Sequence, residues 1–168
     1  LGDYVDDWDH NGKNSIESLN KVIKLKQSNL NKYIFCLGNH ELSYLGYPCS
    51  GHNYEYENQI KDLLITHINY FDLYAQVELD NKTYICTHAG IVNGYALNSM
   101  QVYSANWSID NKDVYNNSLE TLAKWNQNKE FALKLMSQCS YARGGSHPFG
   151  SFVWADKSEI MNLKEDLI

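Results

Sequence analysis

Three segments of this chain carry side chains that can hold cations or move protons. Gly38-Asn39-His40-Glu41 directly follows the apolar run Tyr33-Ile34-Phe35-Cys36-Leu37, Leu1-Gly2-Asp3-Tyr4-Val5-Asp6 precedes it, and Thr87-His88-Ala89-Gly90 follows Tyr84-Ile85-Cys86. Carboxylate, imidazole and amide carbonyl together form a donor set that manganese, iron and zinc all accept. Asp3 follows a glycine, which lets backbone approach closely, and its two oxygens can bridge two cations or serve an ordinary polar turn. Asn39 offers a neutral carbonyl oxygen, which suits an ion that already has carboxylate and imidazole ligands. His40, the next residue, cannot easily reach the same ion from the adjacent backbone position; it is a candidate proton donor or a hydrated loop histidine. Asp6 is a candidate partner for that imidazole or a solvated turn carboxylate. Glu41 reads as a structural acid that buttresses the loop or the start of a helix. His88 is a candidate ligand through one ring nitrogen, or a structural histidine past a strand. Arg143, in Tyr141-Ala142-Arg143-Gly144-Gly145, has a planar donor fork that matches two phosphoryl oxygens and equally suits a surface salt bridge. His10, His52, His67 and His147 sit in polar loops or on a helix face and stay outside the candidate site.

These side chains need strands and helices to aim them. Ser15 is placed to cap a helix whose apolar positions Ile16, Leu19 and Ile23 recur at helical spacing, and which runs to about Ser28. Asn29 to Asn31 end it, and Tyr33 to Leu37 is short, apolar and β-prone, which predicts a buried strand and a strand–helix–strand unit. From Glu55 to about Tyr70, Ile60, Leu63, Leu64 and His67 share one helical face. Tyr74 to Leu79 and Thr83 to Cys86 flank Asp80-Asn81, the pattern of a β-hairpin with a tight polar turn. Residues 93–138 read as a helical insertion or cap, Ser151-Phe152-Val153-Trp154 as a strand after Gly and Pro breakers, and Ser158 to Leu167 as a final helix. No repeat or linker divides the chain, so a single domain is expected.

Bulk properties exclude several partner classes. With 168 residues, 43% apolar and 20% charged, the chain is long enough for one ordinary core. A net charge of −6 argues against a general nucleic-acid surface, which needs clustered Lys and Arg. No window approaches the roughly 18 to 20 apolar residues of a membrane span, so no membrane partner is expected. Cys36, Cys49, Cys86 and Cys139 lack Cys-x-x-Cys spacing, and Cys36 and Cys86 read as buried thiols in a reducing, cytoplasmic setting.

The ordered segments Gly2-Asp3-Tyr4-Val5-Asp6, Gly38-Asn39-His40-Glu41 and His88 resemble the Gly-Asp-x-x-Asp, Gly-Asn-His-Glu and later strand-end histidine motifs of the calcineurin-like metallophosphoesterases. Within that superfamily the set is most similar to the phosphoprotein phosphatase and bacteriophage-type serine/threonine phosphatase branch. The resemblance implies an α/β fold, a layered sheet sandwich flanked by helices, truncated in this segment at both ends. It implies two divalent metal ions, manganese, iron or zinc, which activate hydroxide for in-line attack on a phosphate ester. Asp3 would bridge the two ions, Asn39 and His88 would bind the second, His40 would protonate the departing alkoxide, and Asp6 would pair with His40. The implied substrate is a phosphoprotein, a dinucleoside polyphosphate or a smaller phosphoester, and the alternative is a binding module on the same scaffold without turnover. The family's upstream Asp-x-His and its last Gly-His are not found in these residues, which implies little activity for the segment alone. Asp7-Trp8 stands where the branch commonly has Arg-Gly, and an acid there would repel phosphate.

Overall fold

Leu19, Val22 and Ile23 recur at three- and four-residue spacing, a stripe that one helix face can bury. The computed structural model, which describes residues 1–6, 12–47, 54–90, 127, 133, 138–147 and 150–156, places α1 over Gly12–Ser28 with these three side chains in the core. The helix therefore begins at Gly12, and Ser15 is not its cap. Ser15 is buried inside α1, and its hydroxyl accepts the amide hydrogen of Asp6 at 2.9 Å. An amide outside any strand needs an acceptor, and the inner face of the helix supplies one. Past the helix end, the Asn29 side chain accepts the amides of Asn31 at 3.2 Å and Lys32 at 3.1 Å, turning the chain toward the first strand.

That strand is shorter than the apolar run suggests. β1 is Phe35–Cys36 and pairs in parallel with β2, Phe71–Asp72, with Phe35 opposite Phe71 and Cys36 opposite Asp72. A parallel pair requires a crossover, here α2 (Asn39–Tyr44) and α3 (Glu57–Thr66). The strand–helix–strand unit thus lies one step later than the expected unit through α1. Residues 1–6 form no strand because side chains take their amides: Tyr4 that of Gly2, Glu41 those of Asp3 and Tyr4, and Ser15 that of Asp6.

The hairpin is present as expected. β3 (Ala75–Leu79) and β4 (Lys82–Cys86) pair antiparallel, and Asp80 and Asn81 turn between them at φ 51° and 60°. Two left-handed residues give the tight turn whose twist matches its strands. Ala75 opposes Cys86, so β4 ends just before His88.

Leu19 of α1, Leu42 and Tyr44 of α2, Ile60 and Leu64 of α3, and Leu37, Phe71 and Leu73 beside the parallel pair form one apolar cluster. Cys36 is enclosed, and burial pushes its thiol up to about 11, whereas Cys86 is only partly buried. Residues 151–154 are a turn rather than the expected strand: the Ser151 amide donates to the Trp154 carbonyl at 3.0 Å and the Trp154 amide to the Ser151 carbonyl at 3.2 Å. Phe152 and Val153 are still buried, since a short apolar run can satisfy its burial in a turn as well as in a strand. Of the expected insertion at 93–138, only residues 127, 133 and 138 are described; 127 and 133 have helical backbone, and Leu133 joins the core. The expected helix at 158–167 lies outside the described residues. The described elements combine helices with short parallel and antiparallel strand pairs, an α/β composition, and no helix among the described residues is long and apolar enough to cross a membrane.

Candidate functional site

α2 starts directly after β1 and Leu37-Gly38, which puts Asn39, His40 and Glu41 in its first turn. Glu41 is fully buried, and its two oxygens gather three backbone amides: Gly38 at 2.8 Å and Asp3 at 2.9 Å on Oε2, and Tyr4 at 2.7 Å on Oε1. One carboxylate therefore closes the start of α2 and clamps the N-terminal loop to it, the structural role expected for this acid. Burial pushes the Glu41 carboxyl up, opposed by the Gly38, Asp3 and Tyr4 amides. Glu41→Gln replaces one acceptor with a donor that faces an amide, so we expect a loss of about 2–3 kcal/mol in urea unfolding. An unchanged midpoint would mean the clamp contributes nothing.

The two motif glycines allow the loops to touch. A Cβ on Gly2 would lie 2.7 Å from Gly38 N, Gly38 Cα and His88 Nδ1, and a Cβ on Gly38 would lie 2.6 Å from Asp3 N. Gly2 also has φ 94°, in the region that favours glycine. Asp3 and Asp6 are left-handed as well, at φ 56° and 59°, a conformation that Asp tolerates better than most residues and that recurs at functional sites.

This folding brings Asp3, Asn39 and His88 together. His88 Nε2 is 3.0 Å from Asn39 Oδ1 and 3.3 Å from Asp3 Oδ2, while Asp3 Oδ1 accepts the His40 backbone amide at 3.3 Å. On the other side of the ring, His88 Nδ1 is 2.5 Å from the Leu1 carbonyl, and a carbonyl only accepts, so Nδ1 carries a proton. The Phe152 carbonyl accepts the Ala89 amide at 2.7 Å and holds the loop that carries this ring. Burial pushes the Asp3 carboxyl up, yet the His88 hydrogen bond and charge and the His40 amide leave it below its ordinary value. Burial likewise pushes His88 down, and the Asp3 and Leu1 hydrogen bonds outweigh it to leave the ring raised.

His88 Nε2 thus faces two oxygen acceptors, an arrangement that calls for positive charge between them, either a second ring proton or a cation. Among the described residues no three His, Cys, Asp or Glu side chains are grouped so as to hold a metal ion; this group has two, joined by the Asn39 amide. One carboxylate, one imidazole and one amide carbonyl fit a divalent ion in chemistry. The separations from His88 Nε2, 3.0 Å to Asn39 Oδ1 and 3.3 Å to Asp3 Oδ2, are close to the about 3.0 Å between donors about 2.1 Å from one ion and at right angles.

His40 lies beside this group but faces elsewhere. Its Nδ1 is 3.1 Å from Asp6 Oδ2, and Asp6 Oδ1 accepts the Tyr44 hydroxyl at 2.5 Å. The Asp6 hydrogen bond, working against burial, raises the His40 ring above its ordinary value. An acceptor on Nδ1 fixes the proton there and leaves Nε2 as the nitrogen that can exchange a proton with a substrate. Tyr44 and Ser15 are the partners that sequence reasoning missed. Tyr44 had a readable signal, since it follows His40 by one helical turn; Ser15 did not.

Arg143 has other partners. It ends a 3₁₀ turn, Tyr141–Arg143, where its Nε lies 3.6 Å from Asp156 Oδ2 and its guanidinium 5.8 Å from the centre of the Trp154 ring. This is the salt bridge its sequence context equally allowed. Asp7, Trp8, His10, Cys49 and His52 lie outside the described residues.

Comparison with known families places these loops in context. The family model described as calcineurin-like phosphoesterase matches residues 1–165. No curated protein and no solved structure matches the chain.

Proposed function

The chain belongs to the calcineurin-like phosphoesterase family, and from that premise we propose that it hydrolyses phosphate esters at a dinuclear metal site to which Asp3, Asn39 and His88 contribute. The observation that carries this reading is the meeting of His88 Nε2 with Asn39 Oδ1 and Asp3 Oδ2 beside the His40–Asp6 pair. When bound, divalent cations supply positive charge for the phosphoryl oxygens and make water a usable nucleophile at neutral pH. They also offset the chain's negative charge locally, so an anionic substrate is compatible with its composition.

The chain's own residues then divide the work. Asp3 would offer Oδ2 to a cation, with the His40 backbone amide holding its Oδ1. Asn39 adds a neutral oxygen, and the Leu1 carbonyl keeps the His88 proton on Nδ1, so that Nε2 offers its lone pair. As water, its proton given up to solvent, forms a bond to phosphorus and the bond to the leaving oxygen breaks, His40 gives that oxygen a proton from Nε2, with Asp6 stabilising the ring while it is charged. Arg143 meets Asp156 through Nε, so its terminal guanidinium nitrogens are the donors that would contact phosphate.

Within the family, the motifs Gly2-Asp3-Tyr4-Val5-Asp6 and Gly38-Asn39-His40-Glu41 favour the phosphoprotein phosphatase and bacteriophage-type branch. The layered sheet sandwich, the single domain with a helical cap at 93–138, and manganese, iron or zinc as the metal belong to the same proposal. Phosphoproteins, dinucleoside polyphosphates and smaller phosphoesters are the substrate classes to assay. Family membership does not favour the alternative of a non-catalytic binding module.

Asp3→Asn tests the metal reading without adding backbone strain, because Asn also tolerates left-handed φ. We expect manganese affinity in the full-length protein, measured by calorimetry, to fall by at least roughly tenfold, the scale seen even for outer contacts of metal sites. Unchanged affinity would remove Asp3 from the ligand set.

A further inference from the structure

α2 carries His40 and, one turn later, Tyr44, and residues four apart on a helix share a face. Both reach the same carboxylate. His40 Nδ1 lies 3.1 Å from Asp6 Oδ2, and the Tyr44 hydroxyl donates to Asp6 Oδ1 at 2.5 Å. Tyr44 is 1% exposed and the Asp6 side chain 6%, so water competes little for either oxygen. We propose that Tyr44 is a positioning residue for proton transfer: by holding Asp6 Oδ1 it turns Oδ2 onto His40 Nδ1 and keeps Nε2 as the donor nitrogen. This rests on the reading of His40 as the proton donor.

The physical reason lies in what Asp6 lacks by itself. Rotation of a carboxylate about its last bond is broad, so the backbone alone does not choose which oxygen meets the imidazole. The Ser15 hydroxyl fixes the Asp6 amide at 2.9 Å, but that contact anchors only the main chain. A phenol hydrogen bond to a charged oxygen is strong and directional, and it leaves one oxygen facing the ring. Both donors stand on one helical turn, so the angle between them is set by rigid backbone. Tyr44 keeps its hydrogen throughout; the leaving oxygen takes its proton from His40 Nε2, and the proton lost by the attacking water goes to solvent.

Leaving-group dependence separates positioning from general support. Phenyl phosphate releases a basic oxygen that needs a proton, whereas 2,4-dinitrophenyl phosphate releases a stable phenolate that does not. In the full-length protein loaded with manganese, Tyr44→Phe should lower kcat for phenyl phosphate about tenfold, with KM and the dinitrophenyl rate nearly unchanged. His40→Asn should show the same selectivity with a larger loss. In parallel, nitrogen-15 NMR should show a low-field, slowly exchanging His40 Nδ1 proton in the wild type that Tyr44→Phe loses, with the amide signals of α1 and α3 unmoved.

An equal loss on both esters, or a full phenyl phosphate rate in Tyr44→Phe, overturns the proposal. If His40→Asn lacks the selectivity, the proton-donor reading itself fails, and the Nδ1 signal then decides whether Tyr44 still orients the ring: its loss in Tyr44→Phe supports positioning, its survival rejects it. The wild type gives a check that needs no variant, because a Tyr44 hydroxyl proton in fast exchange with water is incompatible with the bond to Asp6.

Discussion

His40→Asn in the full-length, metal-loaded protein is expected to lower kcat for phenyl phosphate by about 10²- to 10⁴-fold, the usual worth of a general acid, while its metal content stays at the wild-type level. The second half of this expectation follows from the geometry. The His40 side chain turns to Asp6, and what it gives the Asp3 carboxylate is its backbone amide, at 3.3 Å, which the substitution leaves in place. Asn39, Asp3 and His88 therefore keep their mutual contacts, at 3.0 and 3.3 Å, when the imidazole is gone. Asparagine retains a polar group near Asp6, so the buried carboxylate is not stranded. Steady-state kinetics with elemental analysis of the purified variant checks both halves. Turnover at the wild-type rate would remove His40 as proton donor, and a parallel loss of metal would move it into the ligand set.

Gly2→Ala is expected to cost about 3 kcal/mol or more, because overpacking against backbone and a left-handed alanine each add their own penalty. The new methyl would sit 2.7 Å from Gly38 N and Cα, neither of which can swing aside as a side-chain tip would. It would also sit 2.7 Å from His88 Nδ1, the atom bonded to the Leu1 carbonyl, so the imidazole and the N-terminal loop would be displaced together. Urea unfolding measures the first effect and metal binding the second. A midpoint close to wild type with full metal affinity would show that the loops do not approach as described. The same substitution at Gly46, also at positive φ but with no atom within 4 Å of its added Cβ, removes the packing part of the penalty and is the natural control.

Elements whose signals are local were legible. The Asp80-Asn81 turn with flanking strands, the stripe of Leu19 and Ile23 in α1, and Ile60 and Leu64 in α3 all follow from dihedral preference and periodicity within a few residues. The errors fell where residue type does not by itself fix the partner. Ser15 looked like a cap because hydroxyls suit that position, but an amide in the N-terminal loop uses it inside the helix. Ser151 to Trp154 looked like a strand because the run is apolar, and backbone bonds within the run close it into a turn while Phe152 and Val153 still reach the core. Tyr44 is buried like any core aromatic, and only its hydroxyl partner distinguishes it.

By itself, the amino-acid sequence determined which donor groups exist, the order of the segments that bear them, the glycines that permit close approach, and the family to which the chain belongs. Tertiary structure alone decided which atoms meet: His88 Nε2 with Asn39 and Asp3, Nδ1 with the Leu1 carbonyl, the Glu41 carboxylate with amides of two loops, and Asp6 between His40 and Tyr44. The physical reason is that propensity and periodicity act over one or two turns of chain, whereas a buried polar atom takes the acceptor or donor that packing brings to it, however far away in sequence that partner lies.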